Sequence, residues 1–296
     1  MGSRRTLVTG CYGQLGRAVR ALAEARGVAG DFDFCDIDTF DMGDPSAYDG
    51  VDWGLYGTVI NCGAFTAVDA AETPEGRVSC WRANATGPSL LARTCAAHEI
   101  TLVHVSSDYV FDGTREVHDE DEPLSPLGVY GQSKAAGDLA VMGCPAHYIL
   151  RSSWVIGDGK NFVKTMWGLS DRVAAGELPQ VTVVCDQEGR LTFTDQMALA
   201  IFHLLDSGAP FGLYDMTGSG AVRTWADIAR TTFEAANGNG EKVVPVTTAE
   251  YYASAKGPVA PRPEHSALDL SKLEAAGFSP RDWEDELAEY LASLRG

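Results

Sequence analysis

Four short apolar runs, Thr6 to Thr9, Thr58 to Cys62, Leu102 to Val105 and Tyr148 to Leu150, punctuate the first half of the chain. Between them lie stretches with apolar residues at helical spacing, such as Gln14 to Arg26 and Trp81 to Ala97. The runs are continuous rather than alternating, as expected of strands covered on both faces. Strand and helix in alternation predict βαβ units and a parallel sheet. After Arg151 the rhythm loosens. A helix is expected from about Phe162, a strand at Val181 to Val184, a helix at Asp195 to Leu205, a strand at Gly212 to Met216 and a helix at Thr224 to Ala236. A Pro-rich stretch, PVAPRP at Pro258 to Pro263, leads to a terminal helix from Trp283 to Leu294. The pattern predicts an α/β chain: a doubly wound parallel sheet with a second, smaller α/β lobe interwoven with it.

Composition narrows the partners. With 296 residues, 45% apolar and 22% charged, the chain can bury a large core and shows no sign of disorder. A formal net charge of −18 repels phosphate backbones, and no Lys/Arg stripe overrides it, so nucleic acid is excluded. A small anionic ligand remains compatible, because a helix N-terminus and one or two local cations suffice to bind it. The seven cysteines are scattered without CxxC spacing, which fits a reduced, cytoplasmic setting. No run of apolar residues is long enough to span a membrane. HxxxH and HExxH spacings are absent among the six histidines, so no metal site is assigned. The acidic run HDEDEP, His118 to Pro123, reads as a solvated loop.

The first strand-to-helix junction, TLVTGCYGQLGR, carries Gly10, Gly13 and Gly16, with Gln14 and Leu15 at the helix start. Such a turn lets backbone approach a pyrophosphate and sets phosphate oxygens at a positive helix end. The fold expectation therefore becomes Rossmann-type. Residues 1–151 would form a dinucleotide-binding domain to which later segments return, and 152–296 mainly the substrate lobe. Asp36 lies 20 residues past Gly16, at the expected end of the second strand, where a carboxylate can accept hydrogen bonds from an adenosine ribose; Asp38 is its rival by register. No Lys or Arg occurs between Arg26 and Arg77, which favours NADH over NADPH, although Arg17 follows the third glycine.

The segment VYGQSKAAGD places Tyr130 four residues ahead of Lys134, on one helical face. At about 4 Å and an effective dielectric near 20, an ammonium would favour a phenolate by about 4 kcal/mol, drawing the phenol toward neutrality. Tyr252 and Lys256 share the spacing without catalytic context. What sets the first pair apart is LVHVSSDYVFDG upstream. This strand reading ends in Ser106 and Ser107 where a doubly wound sheet puts its ligands, and Asp108 follows. A serine hydroxyl there can hold a carbonyl oxygen while Tyr130 protonates it. Together with the glycine turn, these residues describe hydride transfer to a carbonyl.

With those residues in place, the chain resembles the extended short-chain dehydrogenase/reductase superfamily and, within it, the dTDP-4-dehydrorhamnose reductase family. The blocks TLVTGCYGQLGRAV, VINCGAFTAVDAAE, RANATG, VSSDYVFDG, SPLGVYGQSKAAGD, ILRSSWVIGDGKNFV, VVCDQEGRLTF and RPEHSALDLSKL answer family segments in order. The resemblance implies a catalytic set of Ser107, Tyr130 and Lys134, and Gly10, Gly13, Gly16, Asn61, Gly63, Ala64 and Lys134 along NADH or NADPH. It implies Val68, Trp154 and Asn161 around the sugar, with Ser107 and Asp108 facing the same substrate. For Trp154 the alternative is a core aromatic, and for Asn161 a helix N-cap. Arg262 reads first as a solvated arginine, with a contact to the substrate diphosphate as its alternative. Ser107 stands where the family commonly has Thr, Cys62 and Gly63 interrupt an alanine run, and Leu191 replaces a common proline at the expected pocket edge. The implied reaction is reduction of the C4 carbonyl of dTDP-4-dehydro-β-L-rhamnose. Alternatives are a related nucleotide-4-keto-deoxysugar reductase and, from another class, a non-catalytic subunit of the kind that regulates methionine adenosyltransferase. The expected partner is a small-molecule nucleotide sugar, with a homodimer left open.

Overall fold

The computed structural model describes residues 4–295. A six-stranded sheet runs through it in the order Gly212–Asp215, β5 (His147–Ser152), β4 (Thr101–Ser107), β3 (Tyr56–Asn61), β1 (Arg5–Thr9), β2 (Phe32–Phe34). Every neighbouring pair is parallel. Successive strand residues face opposite sides, so each continuous apolar run feeds two cores. Val8, Ile60, Val103 and Leu150 join one cluster, while Leu7, Val59, Leu102 and Ile149 join the other. Burying each such side chain is worth about 1.5 to 3 kcal/mol. A strand exposed on one face could not use the second set.

The helix Gln14–Ala25 buries Leu15, Val19 and Ala23, spaced four apart, against Met197, Ile201 and Leu204 of the helix Thr194–Ser207. It ends at Arg26 because Gly27 turns the chain with φ +71°. The single helix expected over Trp81 to Ala97 is instead three pieces: α-helical Pro74–Trp81, a π-helical segment Arg82–Thr86, and α-helical Gly87–Ala97. Pro88 has no N–H to give to the Asn84 carbonyl one turn back. The widened turn buries the Asn84 side chain, which accepts from Phe65 N at 2.8 Å and donates to Phe65 O at 3.0 Å.

The acidic run is a loop solvated only in part: Asp121 is exposed and Asp119 half-exposed, while His118, Glu120 and Glu122 turn inward. His118 is fully buried, stacks on Phe111 with centroids 4.7 Å apart, and its Nδ1 lies 2.9 Å from Glu122 Oε2. Glu120 Oε1 accepts from Asp215 N at 2.9 Å. Each inward carboxylate thus has a partner, which charge counting along the sequence does not reveal.

Beyond β5 the chain builds a second layer. Val181–Val184 pairs in parallel with Val243–Val246. The helices Phe162–Ala174 and Trp225–Asn237 pack on that pair through Met166, Val173, Ala226 and Phe233. Gly212–Asp215, by contrast, returns to the edge of the main sheet beside β5. The strand order reverses between β1 and β3, and the crevice at that switch point faces the second layer. Among the described residues no helix is long and apolar enough to cross a membrane, and no group of His, Cys, Asp and Glu could hold a metal ion. All seven cysteines are free.

Candidate active site

The crevice begins at the glycine turn. Gly10 has φ +67°, and a Cβ there would lie 2.5 Å from Gly63 N. A Cβ at Gly16 would lie 2.6 Å from Cys11 Cα. Only glycine fits either position. Gly13 precedes the Gln14–Ala25 helix without a side-chain cap, so the first N–H groups of that helix stay open toward the cleft. On one side of the turn is a cavity of about 190 Å³ lined by Gly10, Asp36, Met42, Gly63, Ala64 and Arg82. Asp36 rather than Asp38 stands on its wall, two residues beyond β2, and its Oδ2 accepts from Tyr12 N at 2.8 Å. Arg82 enters the same cavity from the π-helical segment, paired with Asp41 at 2.6 Å.

On the other side lies a cleft of about 570 Å³ whose lining includes Gly13, Gln14, Leu15, Ala64, Val68, Ser107, Asp108, Tyr130, Lys134 and Trp154. Ser107 ends β4; Tyr130 and Lys134 project from the helix Val129–Val141. That helix starts at Val129 because the Glu72 carboxylate accepts Val129 N at 2.8 Å, a cap supplied from another element. Ser107 Oγ donates to Asp108 Oδ1 at 2.9 Å and accepts from Tyr109 N at 3.2 Å. The Tyr130 ring packs edge-on against Tyr109, centroids 5.3 Å apart.

The electrostatics differ from the contact-distance expectation. Burial holds the Tyr130 phenol above its ordinary value, with the Ser107 hydroxyl drawing it back. Lys134 is buried too and donates to Val105 O at 2.6 Å; burial pulls its ammonium down to about 8, opposed by the Asp138 carboxylate. Desolvation, which spacing along a helix does not reveal, disfavours both charged forms. Asp108 is pushed up to about 6 by the same cause, with hydrogen bonds from Ser266 and Ser107 working against it.

Trp154 closes the far wall. Its φ of +50° turns the indole onto Trp225, ring centroids 3.8 Å apart. Both rings, with Tyr109, also line a third cavity of about 320 Å³ that includes Gln187, Tyr252 and Arg262. The reading of Arg262 as solvated is overturned. Its side chain is 14% exposed, forks onto Asp69 at 2.9 and 2.8 Å, and lies 4.8 Å over the Tyr252 ring.

A profile of the family described as RmlD substrate binding domain matches residues 4–295. This chain belongs to that family. A dTDP-4-dehydrorhamnose reductase of Mycobacterium tuberculosis is 37% identical across 98% of this chain and 93% of its own length. A probable dTDP-4,6-dihydroxy-2-methyloxan-3-one 4-ketoreductase of Streptomyces antibioticus is 36% identical across 98% of this chain and 95% of its own. The crystal structure of a Bacillus anthracis dTDP-4-dehydrorhamnose reductase in complex with NADP superposes with a TM-score of 0.87 at 30% identity, covering 99% of this chain and 100% of that one.

In this RmlD-family chain, some residues marked from sequence do not reach the cavities. Asn61 is buried behind Gly63: its Oδ1 accepts from Thr9 Oγ1 at 2.8 Å and Gly63 N at 3.1 Å, and its Nδ2 meets His104 Nδ1 at 3.0 Å. It shapes the turn from behind. Asn161 is an N-cap, its Oδ1 accepting Lys164 N at 2.9 Å and its Nδ2 donating to Gly157 O and Tyr290 Oη, each at 2.8 Å. Leu191 is fully buried in a core with Trp283 and Ile156, away from the pocket edge. Tyr252 ends its own short helix at Thr248–Tyr252, so Lys256 shares no helical face with it. Sequence reasoning missed Tyr109, Trp225 and Gln187. Tyr109, two residues past Ser107, carried a signal; Trp225 and Gln187 meet the site only through the second layer.

Proposed function

We propose that this chain catalyses NAD(P)H-dependent reduction of the C4 carbonyl of dTDP-4-dehydro-β-L-rhamnose to dTDP-β-L-rhamnose. The observation that carries the reading is one cleft wall shared by Ser107, Tyr130 and Lys134, entered on one side by the glycine turn and on the other by the Trp154–Trp225 wall. The full-length likeness to dTDP-4-dehydrorhamnose reductases supports it. The glycine cradle and the open helix N-terminus fit a dinucleotide, whose nicotinamide supplies hydride when bound. Gly10, Gly13, Gln14, Leu15, Gly16, Gly63 and Ala64 hold its backbone, and Asp36 meets the adenosine ribose. Ser107 holds the carbonyl oxygen, Tyr130 gives it a proton, and Lys134 restores the charge balance below. Val68, Asp108 and Trp154 border the sugar, and Arg262 with Gln187 meets the nucleotide end. Residues 1–151 with the returning Gly212–Asp215 strand serve the cofactor, and most of 152–296 serves the substrate.

NADH is the preferred reductant in this reading, because Asp36 faces the ribose side and Arg82 is already neutralised by Asp41. The seven free cysteines support a cytoplasmic setting. The test is turnover of dTDP-4-dehydrorhamnose with each cofactor in parallel, followed as loss of nicotinamide absorbance. Tyr130→Phe should lower kcat by about a hundredfold while leaving cofactor affinity intact. Near-normal turnover would remove Tyr130 from its role, and silence with both cofactors would favour a non-catalytic binding subunit. A second reading, reduction of a different 4-keto-deoxysugar, is favoured by the Streptomyces antibioticus relative. The C4 stereochemistry of the product, read by NMR, separates the two.

A further inference from the structure

We propose that Gly189 is a positioning residue: the side chain it lacks is the slot that seats the Trp154 indole against Trp225 and so sets the sugar-facing wall of the cleft. The inference rests on the reductase reading for what that wall meets, not for how the wall is built. A Cβ at Gly189 would lie 3.0 Å from both Cε2 and Cζ2 of Trp154 and 3.2 Å from the Ser266 Cβ. Non-bonded carbons settle at about 3.5 to 4.0 Å, so the ring must move before any side chain enters. Gly189 is itself buried and lines neither the cleft nor the third cavity. Whatever it does to a ligand there passes through the indole.

The Trp154 main chain has little freedom to give way. Its φ of +50° is a left-handed conformation that a bulky side chain adopts only where its surroundings impose it. Those surroundings are the residues directly after Gly189. Ser153 Oγ donates to Arg190 O at 3.3 Å, Thr192 Oγ1 donates to Ser153 O at 2.5 Å, and Thr192 N donates to Trp154 O at 3.2 Å. The next two residues, Val155–Ile156, pair in parallel with Thr192–Phe193. The same segment fixes the stacking partner. Glu188–Gly189 runs antiparallel to Arg223–Thr224, with Gly189 opposite Arg223. That register delivers Trp225, the residue after Thr224, to the Trp154 ring, with 3.8 Å between centroids and 20° between planes. Phe162 backs Trp225 at 4.4 Å. Residues 188–192 thus hold the Trp154 backbone, its partner and the space for its ring, and both tryptophans border both cavities. With the main chain pinned, a side chain at position 189 is admitted only by turning the indole about its own side-chain bonds, off its present place on Trp225.

Two stacked indoles give an exciton couplet in far-ultraviolet circular dichroism, whose size depends on their separation and mutual angle. Of the six tryptophans, Trp154 and Trp225 form the one indole-on-indole stack among the described residues, so Trp154→Phe and Trp225→Phe should each erase the couplet and thereby assign it. Gly189→Val should shrink it in the ligand-free protein. The same variant should bind dTDP-β-L-rhamnose about tenfold more weakly in calorimetry, with NADH affinity kept within about twofold. A couplet equal to the parent's overturns the proposal, as does a parent with no couplet at all. A shrunken couplet with nucleotide-sugar affinity unchanged, or with both ligands weakened equally, overturns it too. Should the valine variant not fold, Gly189→Ala carries the test, because its methyl alone meets the ring at 3.0 Å; parental couplet or parental affinity is then equally fatal. A parent that shows the couplet, loses it in Gly189→Val and binds no nucleotide sugar would refute the reductase reading and leave the seating of the indole standing.

Discussion

Replacing Lys134 by methionine should abolish turnover and yet stabilise the fold. The fall of the ammonium from 10.5 to about 8 on burial means that folding disfavours the charged amine by about 3 kcal/mol. Methionine is unbranched and fills similar space without a charge to desolvate. Against the gain stands the Val105 carbonyl, which loses its donor at 2.6 Å, a loss of about 1 to 2 kcal/mol. The net is about 1 to 2 kcal/mol in favour of the variant at pH 7, or a rise in Tm of about 2 °C for a chain of this length. The sign reverses with pH. A base whose folded value is depressed costs stability in full below that value, and the cost fades as pH rises from about 8 toward 10.5. Thermal unfolding followed by circular dichroism should therefore show Lys134→Met melting above the parent at pH 7 and no higher than the parent near pH 10.5. A variant that melts lower at pH 7, or keeps one advantage at both pH values, would refute the desolvation argument.

Gly16→Ala would push a methyl to 2.6 Å from Cys11 Cα and should weaken NADH binding at least tenfold in a fluorescence titration, since the turn must open to admit it; unchanged affinity would show that this turn does not cradle the cofactor. Arg262→Ala removes the fork to Asp69 and should raise KM for the nucleotide sugar by about tenfold with kcat changed less than about twofold; a fall confined to kcat would move Arg262 away from binding. Asp108 takes the single proton of Ser107 while ionised and releases it as the carboxyl protonates near 6. kcat/KM should accordingly rise severalfold as pH is lowered through about 6, and Asp108→Asn should erase that inflection; a variant that keeps it would assign the titration elsewhere.

Local chemistry was legible along the chain wherever one element carries it. The glycine turn is a strand end, a turn and a helix start within twelve residues, Thr6 to Arg17, and its backbone demands are written in the glycines themselves. Tyr130 and Lys134 share a face because any helix would place them so. The two-sided strands were readable for the same reason, since a run such as Leu102 and Val103 makes sense only between two cores. Reading failed where a residue's role depends on something distant in sequence. The helix over Trp81 to Ala97 widens ahead of Pro88, and the partner that the widened turn gives Asn84 is Phe65, 19 residues back in the chain. The acidic run is drawn inward by a histidine stacked on Phe111 and a strand end at Asp215.

What the chain by itself determined was the alternation of strand and helix, the turn that admits a pyrophosphate, and the pairing of a phenol with an amine on one helix. Only the tertiary structure decided how those groups are charged, because desolvation depends on what packs around a side chain rather than on its neighbours in sequence. It also decided that Arg262 belongs to the pocket through Asp69 and Tyr252, and that Asn61 and Asn161 spend their amides on backbone geometry. A hydrogen-bonding side chain can serve a ligand or a fold equally well by its chemistry, and which one it serves is settled by the distance to atoms that folding brings near.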